Sequence, residues 1–177
     1  MNITDIEYAQ LVQEGMAALS HGGAFLMSGT SSPNPMTIGW CQWGRIWNEP
    51  ICTVFVRPSR YSHQNMEQEG YFTVSIPCGG AMKEALGYCG RVSGREENKL
   101  QALGLSVLPA QAGGVGGLSG CSIHFECQTL MSLQMTQAQL EMLPEEARRF
   151  YDPSQQATPD GDPHTLYFGR VLAAYRG

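Results

Sequence analysis

The sequence predicts a mainly β domain with short helices, an α+β chain whose strands form a barrel. Three observations carry that reading. Short apolar runs rich in β-branched and aromatic residues recur along the chain, each stopped by Gly, Pro or Asn-containing turns. Helical patterns are brief and fall at chain crossings, as in a barrel rather than a doubly wound α/β fold. No GxGxxG follows a strand, so the phosphate turn of a Rossmann fold is missing.

The elements follow in order. Thr4 and Glu7 have capping-box spacing, and Tyr8, Leu11, Val12, Met16 and Leu19 recur with helical period. They predict a helix over 5–19, ended by Gly22 and Gly23. Strands are expected at 24–29, 36–43 and 51–56, the third stopped by Pro58. Ser62 is placed to cap a short helix over 63–69, before a fourth strand at 71–76. Two helical patches, at about 81–88 and 96–103, flank a glycine-containing loop at 89–95. A Gly-rich connector at 111–117 leads to a long strand or hairpin at 118–134, and a last strand runs from 164 to 175. Between them, about 136–163, lies a helical patch and a Pro/Asp-rich loop, an excursion too short to be a second domain. Residues 1–177 therefore read as one domain.

Composition limits the function. Hydrophobic residues at 42% and charged residues at 15% exclude a disordered chain. A net charge of −5 without a basic stripe argues against a nucleic-acid partner. With no basic, apolar leader and no run of about 20 apolar residues, the expectation is a cytoplasmic protein without a membrane partner. The six cysteines form no CxxC pair and read as small buried hydrophobes. The four histidines have no metal spacing, so no metal site is expected. No GxxxxGK[ST], HExxH or GxSxG is present.

Polar groups instead gather at strand ends. A buried strand delivers Arg57 to its exit, and Pro58 breaks the ladder. Ser59, Arg60 and Ser62 then collect guanidinium and hydroxyl groups before a helix start, where free N–H groups and the helix dipole suit an anion. Arginine adds a planar, permanently charged grip on phosphate. Ser93-Gly94 before the next helical patch, with Lys99 in its first turn, repeats the arrangement. In the strand Asn34 to Trp40, alternation sets Met36, Ile38 and Trp40 on one face and Thr37, Gly39 and Cys41 on the other. Gly39 lets a flat ligand approach the backbone, and Trp40 suits packing beside an aromatic ring; core packing accounts equally for the apolar face.

Taken together and in order, these segments resemble the flavin reductase-like family, closest to its flavoredoxin branch. The resemblance rests on Asn34 with Met36-Thr37-Ile38-Gly39-Trp40, on Thr53 through Arg57-Pro58-Ser59-Arg60-Tyr61-Ser62, on Phe72-Thr73-Val74-Ser75, and on Cys89-Gly90, Ser93-Gly94-Arg95 and Lys99. His164-Thr165-Leu166-Tyr167-Phe168-Gly169 resembles that branch's last strand. The resemblance implies an FMN-binding split β-barrel, working as a homodimer with flavin near the subunit interface. Asn34 and the Met36–Trp40 strand would line the flavin ring. Arg57, Ser59, Arg60 and Ser62 would contact the phosphate or ribityl chain, and Ser93 and Lys99 would complete the phosphate or ring contacts.

The implied activity is an NAD(P)H-dependent flavin reductase passing hydride through bound FMN, with NADH or NADPH as donor and no catalytic side chain named. The alternative is a flavoredoxin-like electron carrier that keeps FMN and serves a redox protein partner. Packing is favoured over a thiol–flavin relay for Cys41 and Cys89. The sequence departs from the family pattern at Ser62 (usually Thr), at Arg170 (usually acidic) and in the length of the 136–163 excursion.

Overall fold

The computed structural model describes residues 5–156 and 158–177. Helix α1 (Asp5–Gly22) is followed by β1 (Ala24–Ser28), β2 (Asn34–Ile38), β3 (Cys41–Ile46) and β4 (Glu49–Val56). Helix α2 (Tyr61–Glu69), β5 (Tyr71–Ile76), α3 (Lys83–Arg91) and α4 (Lys99–Leu103) come next. The long strand β6 (Ile123–Gln134), the short helices α5 (Gln137–Glu141) and α6 (Glu145–Arg148), two 3-10 turns and β7 (Thr165–Arg176) complete the chain. Thr4, the expected cap of the first helix, lies outside the described residues. No helix among the described residues is long and apolar enough to cross a membrane.

The seven strands form one antiparallel sheet in the order β2-β1-β5-β6-β7-β4-β3. The two edge strands, β2 and β3, are joined by Gly39 and Trp40 alone. A flat seven-strand sheet would set its edges about 29 Å apart. Three Cα–Cα steps span at most about 11 Å. The sheet must therefore roll until its edges meet, which gives the expected barrel, split because β2 and β3 are not hydrogen-bonded to each other.

One cluster of side chains fills the roll, including Leu26, Val54, Phe72, Val74 and Phe125. Helix α1 adds Leu11, with Tyr8 edge-on to Phe125 at 6.2 Å. A second cluster covers the other face of β1: Phe25 and Met27 pack with Leu86 and Cys89 of α3 and with Val115 and Leu118. Strand β1 is thus buried on both faces, which is why its sequence is a continuous apolar run rather than an alternating one. On β5 the alternation survives, and the inward-turned polar residues of its other face are satisfied. Thr73 donates to the Val115 carbonyl, and Ser75 lies 3.0 Å from His124 Nδ1.

Two expectations are corrected. The strand expected at 36–43 is two strands, because the chain passes from one sheet edge to the other at Gly39–Trp40. The β3–β4 hairpin then turns on Trp47 and Asn48, both with left-handed backbones (φ 53° and 61°), the conformation a tight two-residue hairpin turn requires. Ser62 does not cap α2. The helix begins one residue before it, with Arg60 at the cap position and no side-chain cap.

Candidate functional site

Two clefts adjoin where the sheet edges meet. The first, about 220 Å³, is lined by Met36, Thr37, Ile38, Gly39 and Trp40, joined by Phe55, Arg57, Arg60, Phe150 and His164. The second, about 140 Å³, is lined by Asn34, Met36, Ser59, Arg60, Ser62, Ser93 and Lys99, with Tyr61, Arg91, Val92 and Gly94. Met36 and Arg60 border both. All twelve residues singled out in the sequence therefore lie on this pair of clefts. A larger cleft of about 620 Å³ lies elsewhere, between α1 and β7. It holds none of the twelve, and its only Lys or Arg, Arg176, is already paired with Glu14.

The first cleft is aromatic. Trp40, 38% exposed, meets Phe150 and His164 with ring centroids 5.0 Å away and Phe55 at 6.4 Å. No atom lies within 4 Å of where a Cβ on Gly39 would stand, so the backbone there faces open space. His164 is held by the Tyr151 hydroxyl, 3.0 Å from Nδ1. Burial, with help from Arg57, pushes its pKa down to about 4, so the ring is neutral at pH 7.

The second cleft is cationic. Lys99, the first residue of α4, is only 3% exposed, yet its ammonium makes no hydrogen bond or ion pair among the described residues. Burial lowers its pKa to about 8; Cys89 opposes that shift and Arg60 adds to it. Arg60 donates to the carbonyls of Gly90 (2.9 Å) and Cys89 (3.3 Å), placing positive charge at the C-terminal end of α3. Asn34 Nδ2 donates to Ser62 Oγ at 2.9 Å, so the Ser62 hydroxyl hydrogen remains available to an acceptor in the cleft. A Cβ on Gly94 would come within 2.1 Å of Asn34 Oδ1 and 2.7 Å of Tyr61, so only glycine lets the Ser93–Gly94 backbone lie against Asn34.

Arg57 and Ser59 occupy this region but turn toward the excursion. Arg57 Nη1 donates to the carbonyls of Gly161 (3.0 Å) and Asp162 (2.9 Å), and Nη2 donates to that of Phe150 (2.6 Å). The Ser59 N–H (3.2 Å) and hydroxyl donate to the Asp162 carboxylate. The anion expected ahead of α2 is thus, in part, the chain's own Asp162. The Ser93–Gly94 segment is a separate turn rather than a helix start; α4 begins later, capped by Asn98.

Sequence reasoning gave no site role to Phe55, Tyr61, Phe150, Asp162 or His164, although Phe55, Tyr61 and His164 fall in segments that carry the family resemblance. Val56 pairs with Thr165, which sets His164 next to the Arg57 exit. That register is long-range, and no local signal announces it. Cys41 is held un-ionised, first by contact with the Cys52 thiol and then by burial, and burial likewise raises Cys89. Neither is a ready thiolate. The described residues contain no group of three or more His, Cys, Asp or Glu that could hold a metal.

A rolled, unclosed antiparallel sheet with an aromatic cleft beside a cationic one defines a split-barrel protein. The profile of the flavin reductase like domain matches residues 16–177, and the chain belongs to that family. Among solved structures it is similar to flavoredoxin from Methanosarcina acetivorans, with 21% identity, 88% of this chain and 68% of that one covered, and a TM-score of 0.65. It is also similar to an FMN-binding protein from Thermus thermophilus (23%, 87% and 70%, TM-score 0.63). An NADH:FAD oxidoreductase of Streptomyces globisporus matches at 18% identity, over 88% and 75% of the chains, with a TM-score of 0.64. At these identities the likeness is one of fold. An uncharacterized protein of Archaeoglobus fulgidus is 27% identical over 109 residues, and the match spans 60% of that relative's length.

Proposed function

We propose that this chain holds FMN and acts as an oxidoreductase, reducing the flavin with NADH or NADPH. The observation that carries the reading is Lys99: a largely buried side chain whose ammonium has no hydrogen-bond or ion-pair partner among the described residues, in a cationic cleft that adjoins an aromatic one. A partly desolvated, unpaired charge is costly, and a phosphate on that cleft would relieve the cost.

The residues fit the group. Lys99, Arg60 and the Ser62 hydroxyl would hold the phosphate, with Ser93 and Asn34 beside them. Trp40 and Phe55 would pack against the ring system, and the open space at Gly39 would receive its edge. His164, neutral at pH 7, offers a hydrogen bond there without a charge. When bound, FMN supplies the hydride and electron transfer. The protein's own part is to orient the ring and to place positive charge near it. The proposal keeps the homodimer with flavin near the subunit interface, which size-exclusion chromatography tests.

One observation favours a second reading, a flavoredoxin-like carrier serving a redox protein partner. At about 220 Å³ the ring cleft is smaller than the ~300–1,000 Å³ of ordinary ligand sites. Phe150 would have to move before a nicotinamide could join a flavin there. The test is flavin absorbance and fluorescence of the purified protein titrated with FMN, followed by anaerobic NADH or NADPH. Rapid bleaching supports the reductase, persistent bands support the carrier, and absence of FMN binding overturns both.

A further inference from the structure

The geometry points to Asp162 as a positioning residue that helps latch Phe150, the lid, across the ring cleft. The inference starts from the excursion's own bonds. Its helices α5 and α6 lie outside the sheet order, and it returns to the site at three backbone carbonyls and one carboxylate. Arg57 takes the three carbonyls, of Phe150, Gly161 and Asp162. Ser59 takes the carboxylate through its N–H and its hydroxyl.

Asp162 is 2% exposed, with a left-handed backbone (φ 51°) that Asp adopts more readily than most residues with a side chain. Its carboxylate is held on Ser59. Arg57 also lies over the Tyr151 ring at 5.3 Å, and Tyr151 in turn holds His164. One set of contacts thus fixes both Phe150 and His164 beside Trp40.

The consequence is access. With the latch shut, the cleft takes one ring system. With it released, Phe150 leaves Trp40 and the face of the cleft opens to a second flat ring or to solvent. Arg57 and Ser59 therefore serve the cleft by holding its lid, while the phosphate falls to Lys99, Arg60 and Ser62. The access argument rests on the flavin reading; the latch itself does not.

The test separates the two. Arg148 and Arg149 are exposed beside the lid and offer tryptic sites, with Arg91 as an internal reference outside the excursion. In the flavin-free full chain, Asp162→Ala is expected to raise cleavage after Arg148 and Arg149, relative to Arg91, by about tenfold, as loss of a charge-assisted pair predicts. Ser59→Ala, a milder variant, should raise it less. The S59A/D162A double variant should open no further than D162A, because both remove one contact. In protein loaded with FMN, D162A should speed flavin release by a similar factor. An unchanged cleavage ratio in D162A, or additive effects in the double variant, overturns the latch. If the protein takes up no FMN, the proposed function falls while the cleavage ratios still decide the latch.

Discussion

Lys99→Met removes the buried charge and keeps most of the side-chain volume. The flavin-free and flavin-bound proteins should respond in opposite directions. In the free protein the ammonium ends a largely buried side chain and has no partner among the described residues, and its pKa falls from 10.5 to about 8. Each unit corresponds to about 1.4 kcal/mol. After allowance for solvent screening in the open cleft, the substitution should stabilise the free protein by about 1–2 kcal/mol. For a chain of this size that raises Tm by about 2–8 °C. A charge-assisted contact to phosphate contributes about 1.5–3 kcal/mol, so FMN should bind about 10- to 150-fold more weakly.

The pH dependence follows with a fixed sign. The folded pKa lies below the unfolded one, so the cost of burying the ammonium is complete below pH 8 and is relieved as pH rises from 8 to 10.5. FMN affinity should fall above pH 8, where the free protein loses the proton that the phosphate needs. Differential scanning calorimetry of the flavin-free protein and fluorescence titration at pH 7 and 9 measure both effects. A Met variant with lowered Tm and unchanged FMN affinity would show that Lys99 is part of the fold's own charge balance, and would refute the phosphate assignment.

Other outcomes are expected. Gly39→Ala meets no atom within 4 Å, so its Tm should match the parent within about 1 °C, while FMN affinity falls because the new methyl occupies the ring's space; undiminished affinity would remove this strand from the ring site. Acid should destabilise the protein through its buried histidines. His124 is fully buried and pushed down to about 4, as is His164, so the unfolded chain binds protons from pH 6.5 downward that the folded one refuses. The loss begins as pH falls below 6.5, is complete near 4, and amounts to about 2–3 kcal/mol for His124. His124→Gln should flatten that slope by about one proton in urea melts between pH 4 and 7, and an unaltered slope would exclude His124 as its source.

What the sequence determined by itself is chiefly local. Apolar runs at 24–29, 51–56 and 71–76 became strands because a buried strand needs little more than β-branched and aromatic residues between breakers. The first helix declared itself through the spacing of Leu11, Val12 and Leu19. Arg60, Ser62, Ser93 and Lys99, which line the second cleft, stood out because they sit near element ends, where polar groups in an apolar context call for a reason. The hairpin at Trp47-Asn48 did not, since Asn suits a left-handed turn but Trp does not; cross-strand pairing imposes the conformation at Trp47.

Tertiary structure alone decided how the pieces meet. The roll of the sheet follows from two residues joining opposite edges, a fact of strand order that no window of sequence contains. The same roll set His164 beside Trp40 and carried Asp162 onto Ser59, 103 positions away in the chain. Arg57 and Ser59 looked, locally, like free donors awaiting an anion. Hydrogen-bonding capacity is a property of the residue, but which acceptor takes it depends on distant backbone brought close by the core, and here that backbone is the excursion's.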